Sequence, residues 1–176
     1  MPSRKSALRH FAAIGLALSG VSAEARAEAL QLEKFFTGSL VAEGRFRNSW
    51  TGSERGLTVQ MRGTFDGKVL TLREDFVYSD GEKDRKTWVF TRTGPGAWSG
   101  LREDVKEPAE LTTTADGAVQ FGYTARIGGY DLAFRDRLEQ IDARTVRNTA
   151  SVYVFGFIKI GEVELVMRRK NRIAGR

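Results

Sequence analysis

Lys68-Val69-Leu70-Thr71-Leu72-Arg73-Glu74-Asp75-Phe76-Val77-Tyr78 is the run that decides the fold. Alternate residues separate into two sets, Leu70, Leu72, Glu74, Phe76 and Tyr78 on one side and Val69, Thr71, Arg73, Asp75 and Val77 on the other. A period of two marks a strand with one face toward a core, and here that face is apolar except for Glu74. Asp66-Gly67 and Asp80-Gly81 bracket the run. Asp-Gly pairs supply the positive φ that tight hairpins require.

Working outward, the same alternation recurs in Leu40-Ala42-Gly44-Phe46, in Leu57-Val59-Met61-Gly63-Phe65 and in Trp88-Phe90. It continues in Val119-Phe121-Tyr123, in Tyr130-Leu132-Phe134, through residues 146–154 and through residues 157–167. Further turns fall at Gly94-Pro95-Gly96, Asp116-Gly117 and Gly128-Gly129. Roughly eight to ten short strands at hairpin spacing, with no helical period inside, predict an all-β fold. The expected architecture is a single antiparallel up-and-down β-barrel or strongly curved meander, since closing a sheet removes its exposed edges. Residues 28–36 read as a short N-terminal helix or turn that plugs one end through Leu30, Leu32, Phe35 and Phe36. One domain is expected over residues 28–170, followed by a basic tail at 171–176.

Residues 1–27 read as a secretory signal. Arg4, Lys5 and Arg9 make a basic start, an apolar stretch runs from Phe11 to Val21, and Ala25-Arg26-Ala27 is a small-x-small cleavage site, with cleavage after Ala23 as the alternative. Leu18-Ser19-Gly20-Val21 is similar to a bacterial lipoprotein box in which valine replaces the lipid-accepting cysteine. A chain without that thiol cannot be lipidated there, so the expected product is periplasmic and has no stable membrane anchor.

That processing would also remove the sole histidine, His10, and the chain contains no cysteine. Zinc sites built on His and Cys, cysteine nucleophiles and histidine-activated serines therefore lack their essential groups. Gly94-Pro95-Gly96 is too short for a phosphate cradle, and residues 80–84 lack the ligand set of a calcium loop. No cofactor is called for. The formal charge of +6 also fades once it is placed along the chain: from Glu28 onward 24 Lys and Arg face 21 Asp and Glu. Five of those bases lie in the last nine residues. A nucleic-acid partner needs a basic face on the folded domain, which this distribution does not offer. The tail could make at most a weak contact with an anionic surface.

Several runs carry a family resemblance. These are Phe35-Phe36-Thr37-Gly38, Ala42-Glu43-Gly44-Arg45-Phe46, Leu72-Arg73-Glu74-Asp75-Phe76-Val77-Tyr78-Ser79-Asp80-Gly81, Arg85 with Trp88, Trp98-Ser99-Gly100 and Asp104-Val105. In that order and spacing they resemble the bacterial family called domain of unknown function 3833. The resemblance implies an exported, lipocalin-like barrel and hints at fatty acyl ligands, and it carries no catalytic residues across. Many members look like lipoproteins, a pattern from which this chain departs by lacking the lipobox cysteine.

Strand alternation places charged groups on apolar faces: Glu74 with Leu72 and Phe76, Asp136 with Leu132 and Phe134, and Arg102 and Asp104 with Trp98. Buried charges must pair or line a wet cavity. Three readings follow. Arg102 forms a structural ion pair with Glu74 or Asp136. Alternatively, Arg102, with Arg147, grips the head group of an acidic amphiphile whose tail lies among Phe46, Phe76, Tyr78, Trp88, Trp98 and Phe121, because a guanidinium holds a carboxylate with two hydrogen bonds. In the third, Glu74 and Asp136 act as an acid–base pair in a hydratase- or isomerase-type enzyme on a lipid or terpenoid. The leading expectation is a small lipophilic ligand; an envelope scaffold contacting partners through the basic tail is a further alternative.

Overall fold

The computed structural model describes residues 29–170. Residues 1–28, most of them the expected secretory signal, and the tail at 171–176 lie outside the described residues. One short helix, α1 (Leu32–Phe36), precedes ten strands: β1 (Gly38–Asn48), β2 (Glu54–Phe65), β3 (Val69–Tyr78), β4 (Lys83–Gly94), β5 (Ala97–Arg102), β6 (Ala109–Thr113), β7 (Val119–Ile127), β8 (Tyr130–Asp142), β9 (Thr145–Val154) and β10 (Ile158–Arg169). Each strand pairs antiparallel with its chain neighbours, and β1 closes on β10. The result is a closed up-and-down barrel, the all-β architecture that the alternation predicts. Closure pairs every described strand on both sides, and the loop at residues 104–106 covers the part of β7 that β6 does not reach.

Local chemistry explains the turns. Between β2 and β3 the Asp66 carboxylate accepts from the backbone N–H groups of Lys68 and Val69 at 2.9 and 2.7 Å, while Gly67 takes φ 106°. The side chain thereby satisfies donors that the tight turn would otherwise leave unpaired. Strand β6 had no sequence signal, because only Ala109 and Leu111 alternate inward between Glu110 and Thr112. Its ladders are correspondingly short, with three register pairs to β5 and two to β7.

Leu30, Leu32, Phe35 and Phe36 are each buried under one end of the barrel. Burying an aromatic or leucine side chain of this kind contributes about 1.5–3 kcal/mol. The fit is close: a Cβ on Gly63 of β2 would stand 2.0 Å from the Phe36 carbonyl oxygen, so only glycine lets this end seat. Arg169 donates to the carbonyls of Lys34 and Thr37 at 2.7 and 3.2 Å, satisfying acceptors at the helix C-terminus. Arg92 pairs with Glu33. The hairpins β2–β3, β4–β5, β6–β7 and β8–β9 share this closed end, and the remaining five connections form the opposite mouth.

Candidate functional site

The interior is filled near α1 by Leu40, Val59, Leu70, Leu111 and Val146, all almost completely buried. Nearer the mouth it is not filled. A cavity of about 550 Å³ runs from the mouth down to Leu32 and Phe36 of α1, of a size that holds a small organic ligand. Ten strands make a wider tube than eight, in which side chains would reach across.

Aromatic rings form much of the cavity wall. Tyr123 on β7 stacks on Phe134 of β8 with ring centres 5.0 Å apart, and Trp88 of β4 meets Tyr123 edge-on at 5.0 Å. Phe121 stacks on Tyr123 at 5.8 Å, and Phe76 on Tyr78 at 6.1 Å. These rings follow from strand period and register: residues 121 and 123 sit two apart on one face, and Tyr123 pairs across the ladder with Phe134.

A polar cluster lies among the rings. Arg102 at the end of β5 donates through Nε to Asp104 Oδ1 at 2.6 Å and through Nη2 to Oδ2 at 3.3 Å. Its guanidinium also lies 4.9 Å from the Trp88 ring centre and 5.4 Å from that of Tyr123. The Lys86 ammonium bridges Asp84 at 3.1 Å and Asp104 at 3.3 Å. On the far wall, Asn148 Nδ2 of β9 donates to Asp136 Oδ1 of β8 at 2.8 Å. The other oxygen, Asp136 Oδ2, is sealed from solvent and has no hydrogen-bond partner among the described residues. The Tyr123 hydroxyl stands near enough to stabilise the ionised Asp136 without reaching hydrogen-bond geometry to that oxygen.

Burial sets the titration of this cluster. It pushes Glu74 up to about 7, against the Arg102 charge, which pulls the other way, and with the Asp136 charge adding to the rise. Burial raises Asp136 to about 6, although the Asn148 hydrogen bond and Arg102 oppose it. Tyr123 is held well above 10, chiefly by burial, and stays neutral. Desolvation would lower Arg102, but Tyr123, Asp104 and Glu74 outweigh it and keep the guanidinium charged.

Of the residues singled out in the sequence, Glu74, Arg102, Asp136, Phe46, Phe76, Tyr78, Trp88 and Phe121 converge on the cavity. Two do not. Arg147 points outward, half exposed, with Glu139 at 3.8 Å, because it alternates with the inward residues Val146 and Asn148. Trp98 is buried outside the cavity lining, tilted against Phe65 at 6.0 Å and beneath the Arg92 guanidinium at 4.9 Å. Asp104, which the sequence placed on the Arg102 face, is the bonded partner of that arginine in preference to Glu74 or Asp136. Asn148 and Tyr123 were missed as polar members of the site. Their inward alternation with Ala150 and Phe121 was the available signal.

Hairpin tips rim the mouth. Trp50 (β1–β2), Tyr130 (at the start of β8), and Phe155 and Phe157 (β9–β10) are each more than two-thirds exposed. Their strands are neighbours in the barrel, so the aromatics gather on one arc of the rim, which ends beside the charged β3–β4 turn, where Arg55 of β2 pairs with Asp80 and Glu82. Among the described residues no cluster of His, Cys, Asp and Glu could hold a metal ion, and no helix is long and apolar enough to cross a membrane.

Fold and cavity together define a closed, lipocalin-like antiparallel barrel with room for a small ligand. The chain belongs to the family described as Protein of unknown function (DUF3833), whose pattern matches residues 14–169. No curated protein matches it. Among solved structures it is similar to the S-type phycobiliprotein lyase CPES from Guillardia theta, with a TM-score of 0.57 and 14% identity over 81% of this chain and 95% of that one. Two other barrels align less well. A de novo designed fluorescence-activating β-barrel gives a TM-score of 0.40 and 17% identity over 80% of this chain and 99% of that one. The barrel mFAP2b bound to DFHBI gives 0.42 and 9% over 79% and 100%.

Proposed function

We propose that this protein binds a small lipophilic ligand, lipid-derived and carrying an acyl-type chain, inside the barrel, and that it does so in the periplasm. The observation that carries the reading is the unfilled cavity of about 550 Å³, walled by stacked aromatic rings and reached through an aromatic lip. An apolar body entering such a space removes two apolar surfaces from water, worth about 25 cal/mol per Å² buried. The similar fold of a phycobiliprotein lyase supports a barrel of this shape as a small-molecule container. The periplasmic location rests on the basic, apolar and small-x-small pattern of residues 1–27.

Ala150 gives a direct test. It lies on the cavity wall opposite Asp136 in the β8–β9 ladder. Ala150→Trp is expected to fill the space and weaken binding of a ten-carbon alcohol at least about tenfold, a loss near 1.4 kcal/mol, while the far-ultraviolet circular dichroism stays that of a β-barrel. Fluorescence titration through Trp88 reads the binding. Unchanged affinity in Ala150→Trp would put the ligand outside the barrel and end the proposal.

A second reading, acid–base catalysis by Glu74 and Asp136, draws on the two buried carboxyls raised to about 7 and about 6. Turnover of an unsaturated lipid, lost in Glu74→Gln and in Asp136→Asn, would favour it over binding alone.

A further inference from the structure

The polar cluster inside the cavity is unequal in donors and acceptors. Arg102, the one guanidinium of the cluster, is engaged twice over: Asp104 takes two of its N–H groups, and Trp88 and Tyr123 cover its faces. The Lys86 ammonium is held by Asp84 and Asp104. Asn148 spends its amide donor on Asp136. Against these committed donors stand two carboxyls with capacity left over. Asp136 Oδ2 is buried and unpartnered, with the Tyr123 hydroxyl nearby but outside hydrogen-bond geometry, and no donor among the described residues is hydrogen-bonded to Glu74, which sits 7% exposed on the apolar face of β3. The elements packed around the pair contribute both signs of charge: β3 gives Glu74, β4 gives Lys86, β5 and the loop after it give Arg102, Glu103 and Asp104, β7 gives Tyr123, β8 gives Asp136, and β9 gives Asn148. Once Arg102 is matched with Asp104, the buried wall keeps a surplus of acceptors, whereas the further cations of the lining, Arg55, Lys83 and Arg126, are not buried.

A ligand with an acidic head would meet an arginine already neutralised and two carboxyls that repel it. One with a donor or cationic head would satisfy the orphaned oxygen and offset the repulsion between Glu74 and Asp136. The faces of Phe76, Phe121 and Phe134 around it carry the negative ring potential that attracts a cation. An unpaired buried acceptor is costly to leave unmade, so a ligand that supplies its donor recovers that cost on binding.

We propose that the barrel selects an amphiphile whose polar end is a protonated amine, seated between Asp136 and Glu74, with its apolar body against Phe76, Phe121 and Phe134. The inference rests on the cavity being the ligand site and names the class of ligand it takes. No bond is made or broken; the amine N–H groups donate to Asp136 Oδ2 and to a Glu74 oxygen.

Three ten-carbon probes of equal length test it on the purified protein at pH 7.5, below their micelle concentrations: decylamine, decanol and decanoate. The expected order is amine, then alcohol, then acid, with at least about a tenfold gap between the first and the last. Asp136→Asn is expected to bring amine and alcohol to within about twofold of each other, and Glu74→Gln to narrow the same gap from the opposite wall. Two isosteric variants on different strands guard against one that fails to fold. Decanoate binding as tightly as decylamine, or an amine preference unchanged in both variants, would overturn the inference while leaving the cavity reading intact. Binding of none of the three would overturn both.

Discussion

Glu74→Gln is expected to make the protein more stable at pH 7.5, by about 2 kcal/mol, and to flatten its stability between pH 5 and pH 7.5. Burial raises the Glu74 carboxyl from 4.5 to about 7 and that of Asp136 from 3.8 to about 6. The folded state therefore holds more protons than the unfolded chain across the interval between those values. Stability falls as pH rises wherever the native state binds the extra proton, so the wild-type barrel loses stability from about pH 4 up to about 7. At lower pH the surface carboxylates act in the opposite direction. Hydrogen bonds from Thr114 and Arg137 lower Asp116 to about 2, and Arg85 and Arg73 lower Asp75, so their stabilisation is lost as pH falls through those depressed values. The two trends place the wild-type optimum near pH 5. A neutral glutamine of the same shape removes one of the two buried penalties, leaving a shallower slope due to Asp136. Calorimetric melting temperatures from pH 4 to pH 8 read this directly. A Glu74→Gln protein that melts below wild type at pH 7.5 would mean that the Glu74 charge is held by a donor, and would count against the acceptor surplus described above.

Gly44→Ala is expected to be the most damaging single methyl in the barrel. Gly44 lies in β1 opposite Leu165 of β10, where the sheet closes on itself. A Cβ there would stand 1.8 Å from the Glu164 carbonyl oxygen, which is backbone and cannot rotate away. Ordinary overpacking costs about 1–3 kcal/mol because side chains give way. Here β1 must separate from β10, breaking the ladder that closes the barrel, so the cost should exceed about 3 kcal/mol, a large part of a domain's stability. Gly56→Ala is the control: its Cβ would meet Ser79 at 3.5 Å, ordinary contact, and should change stability by less than about 1 kcal/mol. Urea unfolding of the two variants beside wild type separates them. Equal midpoints would show that the seam yields to a methyl group and that closure at Gly44 is loose.

Most of the fold was legible because its strands are period-two segments separated by Asp-Gly and Gly-Gly turns, and both signals are local. Strand β6 was not, since two inward residues after Pro108 are too few to show a period. The site was legible one strand at a time. Alternation put Glu74, Arg102 and Asp136 on interior faces, and it also gives Arg147 an outward direction once it is referred to Val146. What alternation cannot supply is the match between strands around the barrel. Asp136 facing Asn148 across a wall, and Arg102 turning to Asp104 two residues on, depend on register and on a loop, which are fixed only by closure. The pairing first expected for Arg102 followed from charge alone. Geometry gives that arginine to Asp104 and leaves the carboxyls of Glu74 and Asp136 without an ion-pair partner, Asp136 keeping the Asn148 amide on one oxygen only, which turns the chemistry of the expected ligand head from acid toward base.

Native mass spectrometry of the gently purified protein, with extraction and identification of whatever it carries, tests most directly whether the barrel holds a ligand. A stoichiometric adduct that is lipophilic, dissociates on unfolding and is absent from Ala150→Trp is the predicted result. A wild-type protein that flies at its bare mass, and stays bare after incubation with the ten-carbon amphiphiles, would contradict the account.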